Sequence, residues 1–132
     1  VKYAAPLTAD QVCALLRGDW AWMAQSEHGL IRELYVKMKT ESLRPRTVVD
    51  YVREPFLYAA GNVRITFDCM IASASADESF LLPHAAIPAA QGKIVLEVKY
   101  DRYLPELIAG LLQLGTYRAA AFSKYATCRM VY

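Results

Sequence analysis

Cysteine is sparse in this chain: Cys13, Cys69 and Cys128 stand far apart, no CxxC pair occurs, and no histidine lies at ligand spacing from any of them. That pattern excludes a zinc finger and a disulfide scaffold. Isolated thiols used as small core residues fit a reducing compartment, so a cytoplasmic location is expected. A large charge imbalance is also missing. The formal net charge of +2 argues against a broad nucleic-acid-binding surface. The nine tyrosines are scattered rather than interleaved with a basic stripe, so no nucleic-acid partner is expected. Long apolar runs are absent as well. The longest, around Leu107 to Leu114, is far short of the roughly 20 residues that span a bilayer. No signal peptide and no internal repeat is visible, and the chain opens at Val1 without an initiator methionine, which reads as part of something longer.

What is present suffices for a folded unit. The 132 residues are 55% hydrophobic and 21% charged, the profile of a single domain over 1–132, helical over 7–43 and built of sheet and helix over 46–132. Thr8, three residues before Gln11, has the spacing of a capping box, and Gly18 is a plausible stop, which predicts a short helix between them. Trp20, Trp22 and Met23 form an aromatic turn before Ser26. From Glu27 to Thr40, Leu30, Ile31, Leu34, Tyr35 and Met38 recur at spacings of three and four, the mark of a second amphipathic helix.

After Arg44 and Pro45 the period changes to two. Strands are expected over 46–54 and 63–69, joined by a turn containing Gly61 and Asn62, and over 93–100. Residues 72–92 carry no period and read as a long connection. Pro105 opens a helix through Leu114 with Gly115 as its stop, and 122–129 read as a last strand or a strand-to-helix junction.

Strand alternation separates two kinds of face. On 63–68, Val63, Ile65 and Phe67 point one way and Arg64, Thr66 and Asp68 the other. On 94–100, Ile94, Leu96, Val98 and Tyr100 oppose Val95, Glu97 and Lys99. One interpretation is an ordinary antiparallel sheet whose ionic side is solvated and whose apolar side packs on helices. The other is a closed or nearly closed barrel with an ionic interior, where Arg and Lys bind an anion and a carboxylate holds its divalent cation. Alternation is the same in both.

Specific strings add to this. IRELYVKMKT at 31–40, LRPRTVVDY at 43–51, YVREPF at 51–56, RITFD at 64–68, LEVKY at 96–100 and FSKY at 122–125 occur in this order. Together they resemble the VTC domain, the polyphosphate polymerase domain of the vacuolar transporter chaperone complex and of related bacterial proteins, and specifically its C-terminal half. The resemblance implies an α+β fold in which an antiparallel sheet flanked by helices forms part of a β-tunnel of the triphosphate tunnel, or CYTH-like, class. It implies transfer of the γ-phosphate of ATP to a polyphosphate chain, with ATP, polyphosphate or triphosphate as ligands and Mn²⁺ or Mg²⁺ as cofactor. Carried over residue by residue, Arg53, Arg64, Lys99, Lys124 and Tyr51 would contact phosphate, and Glu97 would hold the metal.

Asp68 reads as a structural partner of a nearby basic residue, and Cys69 as packing. His28 and His84 stand alone, and no nucleophilic side chain is required. Alternatives are a non-catalytic polyphosphate or polyanion sensor, another triphosphate tunnel phosphohydrolase, or a purely structural domain. Two departures bear on the choice. Ala121 stands where fungal members often carry a second Lys, and the family's early Glu-x-Glu-x-Lys strand does not occur within the chain. Exposed strand edges and a basic face lead to an expectation of self-association, or of pairing with a missing N-terminal half.

Overall fold

The capping box forms as its spacing requires. In the computed structural model, which describes residues 2–83, 85–115 and 119–131, helix α1 spans Ala9–Arg17. The Thr8 amide donates to Gln11 Oε1 at 2.9 Å and the Gln11 amide donates to Thr8 Oγ1 at 3.2 Å, satisfying two of the N–H groups that a helix start leaves unpaired. Gly18 closes the helix in the left-handed region. A 3₁₀ turn over Ala21–Gln25 carries the aromatic segment, and helix α2 spans Gly29–Thr40.

Four strands follow: β1 Thr47–Tyr58, β2 Val63–Ser75, β3 Ile87–Pro88 and β4 Val95–Lys99. Helix α3 covers Glu106–Leu111 and helix α4 covers Lys124–Arg129. The fold is α+β with an open antiparallel sheet in which β2 is the common partner of β1, β3 and β4. Three strands depart from the sequence expectation: β1 runs four residues beyond 54, β2 runs six residues beyond 69 into the segment expected to be a connection, and β3 lies within that segment. Of the two readings of 122–129, the structure shows the one that ends in a helix, over Lys124–Arg129. His84 lies outside the described residues.

Two units are distinguished by their internal contacts, one formed from 1–48 with 74–85 and one from 49–73 with 86–131. In the first, Met23, Ile31 and Met38 are buried against Leu15, Trp20, Trp22 and Tyr35. Leu30 and Leu34, expected on the same buried stripe, stay 38% exposed. Trp20 donates from Nε1 to the Leu15 carbonyl at 2.9 Å, and the Arg44 guanidinium lies 4.2 Å from its ring centre.

The second unit contains the ionic face. Its core is Ile71, Ala90 and Cys128, with Val49, Tyr51, Ala89 and Val95 packed around them. The β1–β2 connection is tight because Gly61, at φ +75°, brings its backbone against Tyr103, so close that a Cβ there would stand 2.6 Å from the Tyr103 carbonyl oxygen. β2 does not alternate uniformly. Thr66 and Asp68 are buried, and so are Ile71 and Ser73, although Asp68 and Ile71 are three residues apart. Met70 lies between them at φ +54° and is 76% exposed. An extra residue of this kind switches the covered side from even to odd positions, as a β-bulge does.

Candidate functional site

α4 is seated on that switched face. The Ser73 hydroxyl donates to the Cys128 carbonyl at 3.1 Å, and the Cys128 thiol donates to the Ala72 carbonyl at 3.4 Å. Cys128 is fully buried, and burial pushes its thiol pKa up, which makes it a packing residue rather than a nucleophile. With α4 anchored at this point, its first residue, Lys124, reaches the middle of the sheet. The Ser123 hydroxyl caps the helix by accepting from the Ala126 amide at 3.2 Å. A lysine in the first turn opposes the helix dipole, and a carboxylate offsets that cost.

The carboxylate is Asp68. Arg53 grips it with two bonds, Nε to Oδ1 at 2.6 Å and a terminal nitrogen to Oδ2 at 2.8 Å, while Lys124 Nζ stands 2.6 Å from Oδ2. The Asp68 side chain is fully buried, whereas Arg53 and Lys124 retain 38% and 20% exposure, so both cations present a wet side to any approaching anion. The hydrogen bonds from Arg53, followed by those from Lys124, hold the Asp68 carboxyl down to about 2 despite the upward push of burial. The Tyr51 ring lies against both cations, 5.2 Å from the Arg53 guanidinium carbon and 5.1 Å from Lys124 Nζ. Tyr51 thus contacts both the core and the charged cluster.

The pairing of β2 with β4 extends the cluster. Arg64 faces Lys99, Thr66 faces Glu97, and Asp68 faces Val95, and directly paired residues share one face of an antiparallel sheet. Two like charges therefore stand opposite each other at Arg64 and Lys99. Lys99 has a carboxylate in reach, with Nζ 3.1 Å from Glu97 Oε1, and both side chains are substantially exposed. Among the described residues Arg64 has no ion-pair partner.

All six residues singled out from the sequence lie in the second unit, and the geometry divides them into two groups. Arg53, Lys124 and Tyr51 are drawn together around Asp68, while Arg64, Lys99 and Glu97 share the β2–β4 face beside them. Burial runs against an ordinary solvated ionic side: Thr66 and Asp68 are covered at 3% and 0%, whereas Phe67, on the apolar side, is 37% exposed with its ring against Phe56. For a metal, the donor set is lean. Asp68 has both oxygens engaged, and among the described residues no three His, Cys, Asp or Glu side chains gather into a metal-binding group. Glu97 can supply one oxygen, which suits an ion that takes most of its ligands from phosphate and water.

Comparison with protein families adds an independent line: the model of the VTC domain matches residues 1–132. The chain belongs to the VTC domain family. No curated protein and no solved structure was found to match it. Membership in the VTC family agrees with the order of the strings from IRELYVKMKT to FSKY, and it points to a polyphosphate-related function. Within this VTC domain, Thr66 lies inside the string RITFD, yet the sequence assigns it no role of its own. Its register opposite Glu97 and its burial become visible only in three dimensions. No helix among the described residues is long and apolar enough to cross a membrane.

Proposed function

We propose that the ionic face of the sheet is a wall of a basic tunnel that binds a phosphate chain, and that the domain transfers the γ-phosphate of ATP to the end of polyphosphate. The observation that carries this reading is the Arg64–Lys99 pair. Like charges directly opposite across a ladder destabilise a sheet, and an anion bridging them removes the penalty. Arg64 can fork onto two phosphate oxygens, while Lys99 acts as a point charge. A second cationic pair, Arg53 and Lys124, lies near Asp68, four residues farther along β2, about 13 Å away at the rise of an extended strand. A single phosphate cannot touch both pairs, whereas a chain of phosphates can.

Glu97 lies between the two pairs and would repel such a chain. Mn²⁺ or Mg²⁺ held by Glu97 would neutralise that repulsion and the charge that develops as the phosphoryl group moves. The protein's own part is positioning and electrostatics. Arg53, Arg64, Lys99 and Lys124 align the phosphates and spread their charge, and Tyr51 braces Arg53 and Lys124 from one side.

A non-catalytic polyphosphate sensor is the second reading, favoured by the engagement of both Asp68 oxygens with cations, which leaves Glu97 as the metal-facing carboxylate. Incubation of the protein with ATP and Mn²⁺ separates the two. The polymerase reading expects ATP consumption with long phosphate polymers as product. Tight tripolyphosphate binding with no ATP turnover would replace it by the sensor, and orthophosphate release without polymer would indicate a tunnel phosphohydrolase.

A further inference from the structure

We infer that Thr66 is a phosphate-contacting residue, its hydroxyl donating a hydrogen bond to an oxygen of the chain that lies between the two cationic pairs. The inference rests on the phosphate-binding reading of this face and adds to it a neutral donor at the midpoint. Thr66 is 3% exposed, and its Oγ1 is buried with no hydrogen-bond partner. Buried hydroxyls are nearly always satisfied, because stripping one of water without replacing its bond is costly. An unmet donor therefore marks the position where a partner from outside the chain belongs.

Its surroundings define that partner. On its own strand the neighbours on the same face are Arg64 and Asp68, and across the ladder is Glu97. Thr66 bonds to neither carboxylate: Asp68 is turned to Arg53 and Lys124, and Glu97 meets Lys99 through Oε1. The cations on the same face select an anionic acceptor. A hydroxyl adds what they lack: a short, directional donor on a stiff β-branched side chain, placed by the backbone rather than by a long flexible stem. Arg64 and Lys99 are exposed and Glu97 is partly so, so this face borders solvent beside Thr66. Contact then requires the arriving phosphate chain to displace whatever covers the hydroxyl.

The test compares Thr66→Val and Thr66→Ser with the unaltered protein, using tripolyphosphate as the probe in calorimetric titrations and urea unfolding without ligand. Valine keeps the shape and strand preference of threonine and removes only the hydroxyl. Thr66→Val is expected to unfold at an equal or higher urea concentration, since the group it removes is unsatisfied, and to bind tripolyphosphate about tenfold more weakly. Thr66→Ser is expected to restore most of the affinity. Unchanged affinity in Thr66→Val, with the unaltered protein binding normally, overturns the role of Thr66 and leaves the phosphate site standing. Unchanged affinity with a lowered urea midpoint assigns the hydroxyl to a structural water, which also overturns it. If the unaltered protein itself fails to bind tripolyphosphate, both this inference and the phosphate-binding reading fall.

Discussion

Asp68→Asn is expected to cost about 2–3 kcal/mol of stability while making the protein more responsive to phosphate. The carboxylate is fully buried and held by three charge-assisted contacts, so its removal leaves Arg53 and Lys124 facing each other without a counterion. Both cations keep some exposure to water, which places the loss below that of a fully buried pair broken on one side. The same two cations are then free for an external anion. Tripolyphosphate is expected to raise the urea midpoint of Asp68→Asn by more than it raises that of the unaltered protein. A variant as stable as the original would show that the Arg53–Asp68–Lys124 cluster contributes nothing to folding.

The pH dependence follows with a definite sign. Asp68 sits at about 2 in the folded protein, below the ordinary aspartate value near 3.9. A carboxyl depressed on folding contributes its stabilisation, about 2–3 kcal/mol here, in full above the unfolded value and loses it as pH falls through the folded one. The stability difference between the unaltered protein and Asp68→Asn should therefore be constant above about pH 5 and shrink between about pH 4 and pH 2. Urea unfolding at a series of pH values measures this, and a gap that persists unchanged to pH 2 counts against the assignment.

The second large effect concerns binding rather than folding. Arg64→Ala is expected to weaken tripolyphosphate binding about 10- to 100-fold, the scale of one charge-assisted, two-pronged contact. Unliganded stability should stay level or rise slightly, because Arg64 has no ion-pair partner among the described residues and stands opposite Lys99. This split between affinity and stability distinguishes a ligand-facing arginine from one at the rim of the sheet. Affinity unchanged by Arg64→Ala would remove Arg64 from the site.

Much of this was legible from sequence because the signals were local. The Thr8–Gln11 capping box, the Gly18 stop and the period-two runs at 63–68 and 95–99 each specify short-range geometry, and each reappears in the fold. The same alternation placed Arg64 with Asp68 and Glu97 with Lys99 on shared faces. What escaped was non-local. β2 continues to Ser75 because Met70 takes a left-handed backbone and resets the alternation, a break in the pattern that reads from sequence as the end of a strand.

Residues 124–129 form a helix whose short length gives no periodicity to detect, and its position depends on Ser73 and Cys128, 55 residues apart. The stripe on α2 was too broad for a similar reason. Leu30 and Leu34 have the right spacing, yet coverage comes from Trp20, Trp22 and Met23, and it reaches only Ile31, Met38 and part of Tyr35. For the site, the sequence reading of Asp68 as a structural partner of a nearby basic residue agrees with its bonds. Its sharing between Arg53 and Lys124 depended on where α4 lands.

The most direct test of the central claim, that this face binds a chain of phosphates, is a calorimetric titration of the protein with tripolyphosphate and, separately, with orthophosphate, each in the presence of Mn²⁺. Saturable tripolyphosphate binding at least about tenfold tighter than orthophosphate is expected, since only a chain can reach from Arg64 and Lys99 to Arg53 and Lys124. Equal affinities for the two, or no binding of tripolyphosphate, would contradict it.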